Sequence, residues 1–79
     1  MASGMSAISS RKLVRLLMGR GLEVVRKHGD HVQLRNPVTK MKVDVSTGGR
    51  WSKTVPHFVL RKAARAARMT IRELRDGCR

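Results

Sequence analysis

Val24-Val25-Arg26-Lys27-His28-Gly29-Asp30-His31-Val32-Gln33-Leu34-Arg35-Asn36-Pro37 is the stretch that decides how this chain folds. Its first part is rich in valine and breaks at Gly29-Asp30, a tight-turn dipeptide. From His31 to Arg35 the residues alternate: Val32 and Leu34 on one face, His31, Gln33 and Arg35 on the other, the period-two mark of a half-buried strand. Asn36-Pro37 opens a second turn. Met41, Val43 and Val45 then repeat the alternation against Lys42 and Asp44. Residues 22–28, 31–35 and 41–45 therefore read as three strands joined by short turns, an antiparallel meander with one apolar face.

Working outward, Ser9 or Ser10 can cap a helix over 11–18, with Leu13, Leu16 and Leu17 on one stripe and Arg11, Lys12 and Arg15 off it. Gly19 and Gly21 end it, since glycine takes a left-handed conformation at no steric cost. After a loop of small and polar residues over 46–53, Thr54 is placed to cap a second helix over 55–68, with Pro56 in its first turn and Val59, Leu60, Ala63 and Ala67 inward. Thr70 to Glu73 has the spacing of a capping box, which predicts a short third helix carrying Ile71 and Leu74. The fold class is α+β: a three-stranded antiparallel sheet in the order α-β-β-β-α, two main helices packed on its one apolar face, and a short C-terminal helix. Residues 1–8 read as a disordered segment in which Met1-Ala2-Ser3-Gly4 resembles a cloning remnant, 9–76 as the domain, and 77–79 as a flexible end.

Seventy-nine residues make one domain with one small core. Eighteen lysines and arginines face five acidic residues, a formal charge of +13 that favours a polyanionic partner. The apolar residues come in short bursts, with no run long enough to span a bilayer and no secretory leader. No helix combines a strongly apolar face with the bulky anchors that membrane insertion needs. The single cysteine, Cys78, excludes an internal disulfide and a cysteine-based zinc site. A cytoplasmic protein fits best. Phe58 and Trp51 are the only aromatics, which argues against recognition by a platform of stacked aromatic rings. No phosphate-cradling loop, paired acid/base carboxylates or nucleophile elbow is present.

What chemistry remains centres on His31, offered to solvent at the edge of a hairpin. A histidine, with an unperturbed pKa of about 6.5, exchanges protons in both directions near neutrality. Cleaving RNA without a metal needs that property: a base takes the 2′-hydroxyl proton, an acid protonates the leaving 5′-oxygen, and nearby cations stabilise the phosphoryl charge. A lone strand histidine most often has no role; the turn and the surrounding cations single this one out. His28 lies across the same turn. The pair lacks the third ligand of a catalytic zinc, so no metal or other cofactor is expected. His57 reads as a helix residue exposed to water.

Among the cations, Arg26, Lys27, Arg35, Lys40 and Lys42 belong to the strands and hairpins. Arg61, Arg65, Arg68 and Arg72 are spaced to form one stripe along the second helix and its continuation. So few carboxylates are interleaved that these surfaces read as footprints for phosphate. The candidate RNA-binding set is Arg26, Lys27, His28, Gln33, Arg35, Lys42, Arg61 and Arg65, with His31 as the candidate catalytic residue.

In this order and spacing the chain resembles the HicA family of toxins from prokaryotic and phage toxin–antitoxin pairs. The resemblance rests on Ser10-Arg11-Lys12-Leu13 opening the first helix, on the strand leading into Gly29-Asp30-His31 and the next strand ending at Arg35-Asn36-Pro37, and on Leu60-Arg61-Lys62-Ala63 and Ile71-Arg72-Glu73-Leu74 near the end. It covers about residues 9–75. It implies a fold like a double-stranded-RNA-binding domain and metal-independent cleavage of mRNA, with the histidine of the family's Gly-Ser-His falling on His31. It further implies a type II pair, in which an acidic HicB-like antitoxin covers the site of a toxin that is monomeric alone. Asp30 stands where the family has serine, Val45-Ser46-Thr47-Gly48 where it often has Val-Pro-x-His, and Arg68 where a helix-ending glycine is common. A noncatalytic module of the same fold, binding double-stranded RNA or DNA, is the competing expectation.

Overall fold

The structure, a computed structural model, describes residues 8–47 and 54–78. The order is α1 (Ser10–Gly19), β1 (Glu23–His28), β2 (His31–Arg35), β3 (Lys42–Ser46), α2 (His57–Ala67) and α3 (Ile71–Gly77). This is the expected α+β arrangement, with three antiparallel strands in one open sheet of order β1-β2-β3. Val32, Leu34, Val43 and Val45 point to one face and are buried with Leu13, Val14, Leu17, Leu60, Ala63, Ala66 and Leu74 of the helices and with Leu22 between α1 and β1. Each buried Leu or Val stabilises the fold by roughly 1.5–3 kcal/mol, so this one-sided core carries the domain.

The helix ends show why the elements stop where they do. Ser9 caps α1 by accepting from the Lys12 backbone N–H at 3.3 Å. At its other end Gly21, with φ +98°, sits beyond the C-cap Arg20. The Leu22 N–H donates to Leu17 O and the Gly21 N–H to Met18 O, both at 3.0 Å. This is the Schellman pattern, and it turns buried Leu22 back toward the core. The same pattern ends α2, where the Met69 N–H reaches Ala64 O at 2.8 Å. There the left-handed residue is Arg68, with φ 59°, so α2 and α3 are separate helices and the expected arginine stripe is broken at Arg68. Thr70 and Glu73 form the capping box of α3.

Several expectations are corrected. Thr54 does not cap α2; Pro56 occupies the N-cap position with no side-chain hydrogen bond. Residue 54 instead bridges Ser9, and the Val55 N–H donates to Ile8 O at 2.9 Å, so Ile8 is buried rather than disordered. Ala64 and Ala66 are buried on α2, while Ala67 is only partly so. At the C-terminus Cys78 is buried rather than part of a flexible end. The expected segment 1–7 and the loop over 48–53 lie outside the described residues.

The largest departure is in β1, all six residues of which are exposed, Val24 at 42% and Val25 at 44%. The strand lies at the sheet edge, and the ladder slips: Val24 opposes Leu34, but Arg26 opposes Gln33. Val25 is the extra residue of a β-bulge, which bends the edge and interrupts the alternation.

Candidate nucleic-acid interface

The hairpin tip positions His31. At Gly29 φ is +60° while Asp30 has no positive φ, the pattern of a type II′ turn, which closes two strands with only two residues between them. The tip is pinned from the far side of the sheet: the Asp30 carbonyl accepts from both the Thr47 N–H at 2.7 Å and the Thr47 hydroxyl at 3.0 Å. At the other end of β2, Asn36 holds the second turn. Its Oδ1 accepts from the Val38 N–H at 2.8 Å, and its Nδ2 donates to Ala66 O of α2 at 2.7 Å, a buried bond tying turn to helix.

Because Val32, Leu34, Val43 and Val45 are buried, their neighbours face away from the helices. The register then arranges that open face in three rows: His28, His31 and Ser46; Arg26, Gln33 and Asp44; Glu23, Arg35 and Lys42. Cross-strand neighbours in such a row bring their Cβ atoms to about 4.5–5.5 Å, so His28 and His31 share one patch. Two hollows lie on this face. One, of about 290 Å³, is lined by Arg26, His28, His31, Gln33 and Asp44. The other, of about 430 Å³, is lined by Val25, Arg26, Gln33, Arg35, Lys40 and Lys42. They share Arg26 and Gln33, and so form one trough, with imidazoles at one end and cations at the other.

His31 is solvent-facing, its side chain 62% exposed, with Nε2 3.4 Å from Oδ1 of Asp30, itself 53% exposed. Contacts this wet are screened and contribute little to stability. The Gln33 amide donates to Asp44 Oδ1 at 3.1 Å across β2 and β3. Asp44 was not among the residues singled out by sequence, although the alternation of β3 already set it on the open face beside Gln33.

The expected binding residues do not gather in one place. Arg26, His28, Gln33, Arg35 and Lys42 share the open face with His31. Lys27 opposes Val32 and so sits on the helix-side face of β1. Arg61 and Arg65 line a different hollow, of about 320 Å³, with Met41, Lys42, Phe58 and Lys62, where α2 passes the edge of β3. Lys42 borders both surfaces. His57 is exposed at the start of α2. Among the described residues no group of three or more His, Cys, Asp or Glu is placed to hold a metal ion, and no helix is long and apolar enough to cross a membrane.

Two titratable groups elsewhere are shifted. Hydrogen bonds from Thr70, first its backbone and then its hydroxyl, hold the Glu73 carboxyl below its ordinary range, and Arg20 adds to this. Burial pushes the Cys78 thiol up, so that it is a packing residue and a poor nucleophile. No protein-family model, curated protein or solved structure matches the chain.

Proposed function

We propose that this chain is a HicA-like mRNA interferase: a metal-independent endoribonuclease, with a fold like a double-stranded-RNA-binding domain, acting in the cytoplasm as the toxin of a type II toxin–antitoxin pair. The observation that carries the reading is His31, exposed at the end of a trough whose other lining includes Arg26, Arg35, Lys40 and Lys42. RNA laid along the trough would set phosphates on the cations and one scissile linkage beside the imidazole. Neutral His31 takes the proton of the 2′-hydroxyl, the 2′-oxygen bonds to the adjacent phosphorus, and the bond from phosphorus to the 5′-oxygen breaks. His31 returns the proton to that leaving oxygen, so the products are a 2′,3′-cyclic phosphate and a 5′-hydroxyl. Arg26 and His28, when charged, stabilise the non-bridging oxygens. The acidic antitoxin of such a pair would neutralise the same basic face, and the toxin alone would be monomeric.

A second reading, a noncatalytic module binding RNA or DNA, is favoured by one feature. Two carboxylates, Asp30 and Asp44, stand at the imidazole end and repel phosphate there. Incubating labelled RNA with the protein in EDTA separates the two. The nuclease reading expects cleavage to cyclic-phosphate ends, abolished in His31→Ala while RNA binding persists. Wild-type protein that binds RNA but leaves it whole would overturn it.

A further inference from the structure

We infer that the outer edge of β3, with α2 as its opposite wall, is a docking groove for an acidic polypeptide segment that adds to the sheet as a fourth strand. This goes beyond the ribonuclease reading and is argued from the β3 edge and α2, although His31 and Lys42 border both this groove and the trough.

The backbone supplies the first argument. Among the described residues β3 pairs only with β2. The Thr47 N–H donates to Asp30 O and the Asn36 N–H to Met41 O, two bonds in the same register as the Val32–Val45 and Leu34–Val43 pairs. In an antiparallel ladder hydrogen-bonded and non-bonded pairs alternate. Val43 and Val45 therefore spend their backbone groups on β2, and the N–H and C=O groups of Lys42 and Asp44 point outward. An outward row of this kind is a template for strand addition unless something covers it.

The groove beside that row is the second argument. The hollow of about 320 Å³ at the Met41 end and a larger one of about 540 Å³ share Lys42, Phe58 and Lys62, and so run together along β3. The larger hollow has apolar walls in Val55, Pro56, Phe58 and Val59, with Asp30, His31 and Asp44 along its sheet side, and Phe58 is 64% exposed. The smaller is lined by Lys42, Arg61, Lys62 and Arg65 with no carboxylate. Lys42 and Lys62 border both hollows, Arg61 and Arg65 add to them at the Met41 end, and the apolar wall and the carboxylates of Asp30 and Asp44 lie at the other. This fits a strand whose apolar side chains lie along Val55, Pro56, Phe58 and Val59 and whose Asp or Glu residues lie at the Met41 end. Nucleic acid would satisfy the cations but would leave the backbone row and most of the apolar wall unused.

The test takes the full chain as bait for a displayed library of random peptides about eight residues long, a length matched to one strand. Selected peptides, and separately a single-stranded oligoribonucleotide, are then followed by backbone amide NMR. We expect the selected peptides to be enriched in Asp and Glu with alternating apolar residues. Their binding should slow exchange of the Lys42 and Asp44 amides, leave Arg26 and His28 unmoved, and weaken about tenfold in Lys62→Glu, as for loss of a close charge pair at an interface. Lys62 is exposed, and an unchanged melting temperature of the variant will show that the fold survives. The proposal is overturned if no acidic sequence is enriched or if the two amides stay unprotected. It is equally overturned if the oligoribonucleotide, or self-association of the chain, is what protects them.

Discussion

Asn36 does more for the shape of this protein than its place in a turn suggests. It is buried, its oxygen organises the turn after β2, and its nitrogen is bound to the carbonyl of Ala66. Asn36→Asp keeps the acceptor and loses the donor, setting a carboxylate against a carbonyl. Losing one partner of a buried hydrogen bond costs about 1–3 kcal/mol, and urea denaturation should show a loss of that size. Sequence reading saw only the turn-forming half of this residue, because the Ala66 carbonyl lies 30 positions away. His31 was legible for the opposite reason: its exposure follows from neighbours one position to either side. Thr47, which pins the tip carrying His31, left no comparable local signal.

At the level of elements, period and capping rules predicted what local chemistry controls. The three strands, the caps of α1 and α3, and the glycine exit from α1 all stand where those rules put them. The rules failed where tertiary pairing prevailed. Thr54 had the right chemistry for a cap, but the backbone around it bonds to Ile8 and Ser9 and stays extended. The capping box of α3 also has a pH dependence. Glu73 is held below its ordinary value of 4.5 in the folded chain, so it binds protons more readily when unfolded. Its stabilising contribution is therefore complete above the ordinary carboxylate range and is lost as pH falls through the lowered folded value. Thermal melts in acid should show that Glu73→Gln flattens this part of the pH profile. A wild-type slope retained in the variant would assign it to other carboxylates.

For the whole molecule the deciding quantity is charge. A net +13 on 79 residues repels itself, so added salt should raise the melting temperature while it weakens RNA binding. The logarithm of affinity should fall linearly with the logarithm of salt concentration, and Arg26→Ala and Arg35→Ala should each lower the slope by about one phosphate contact. Arg61→Ala should leave that slope unchanged if RNA keeps to the open face. Composition alone gives the excess of positive charge. It did not divide the cations between a sheet face and a helix-lined edge, because that division comes from the packing of α2 beside β3.

One consequence follows from the supernumerary Val25. Counted by simple alternation from Val24, which shares the face of Leu34, the imidazole of residue 28 would belong to the helix side; the additional residue puts the later part of β1 half a period out of phase. Excising Val25 should then be a silent edit, since Val24 and Arg26 already occupy consecutive rungs opposite Leu34 and Gln33. Excising Arg26 instead would draw Val25 into its rung, keeping both imidazoles in place but leaving an apolar gap in the trough. Amide spectra of the two deletions should both report folded protein, with weakened RNA binding in the second alone.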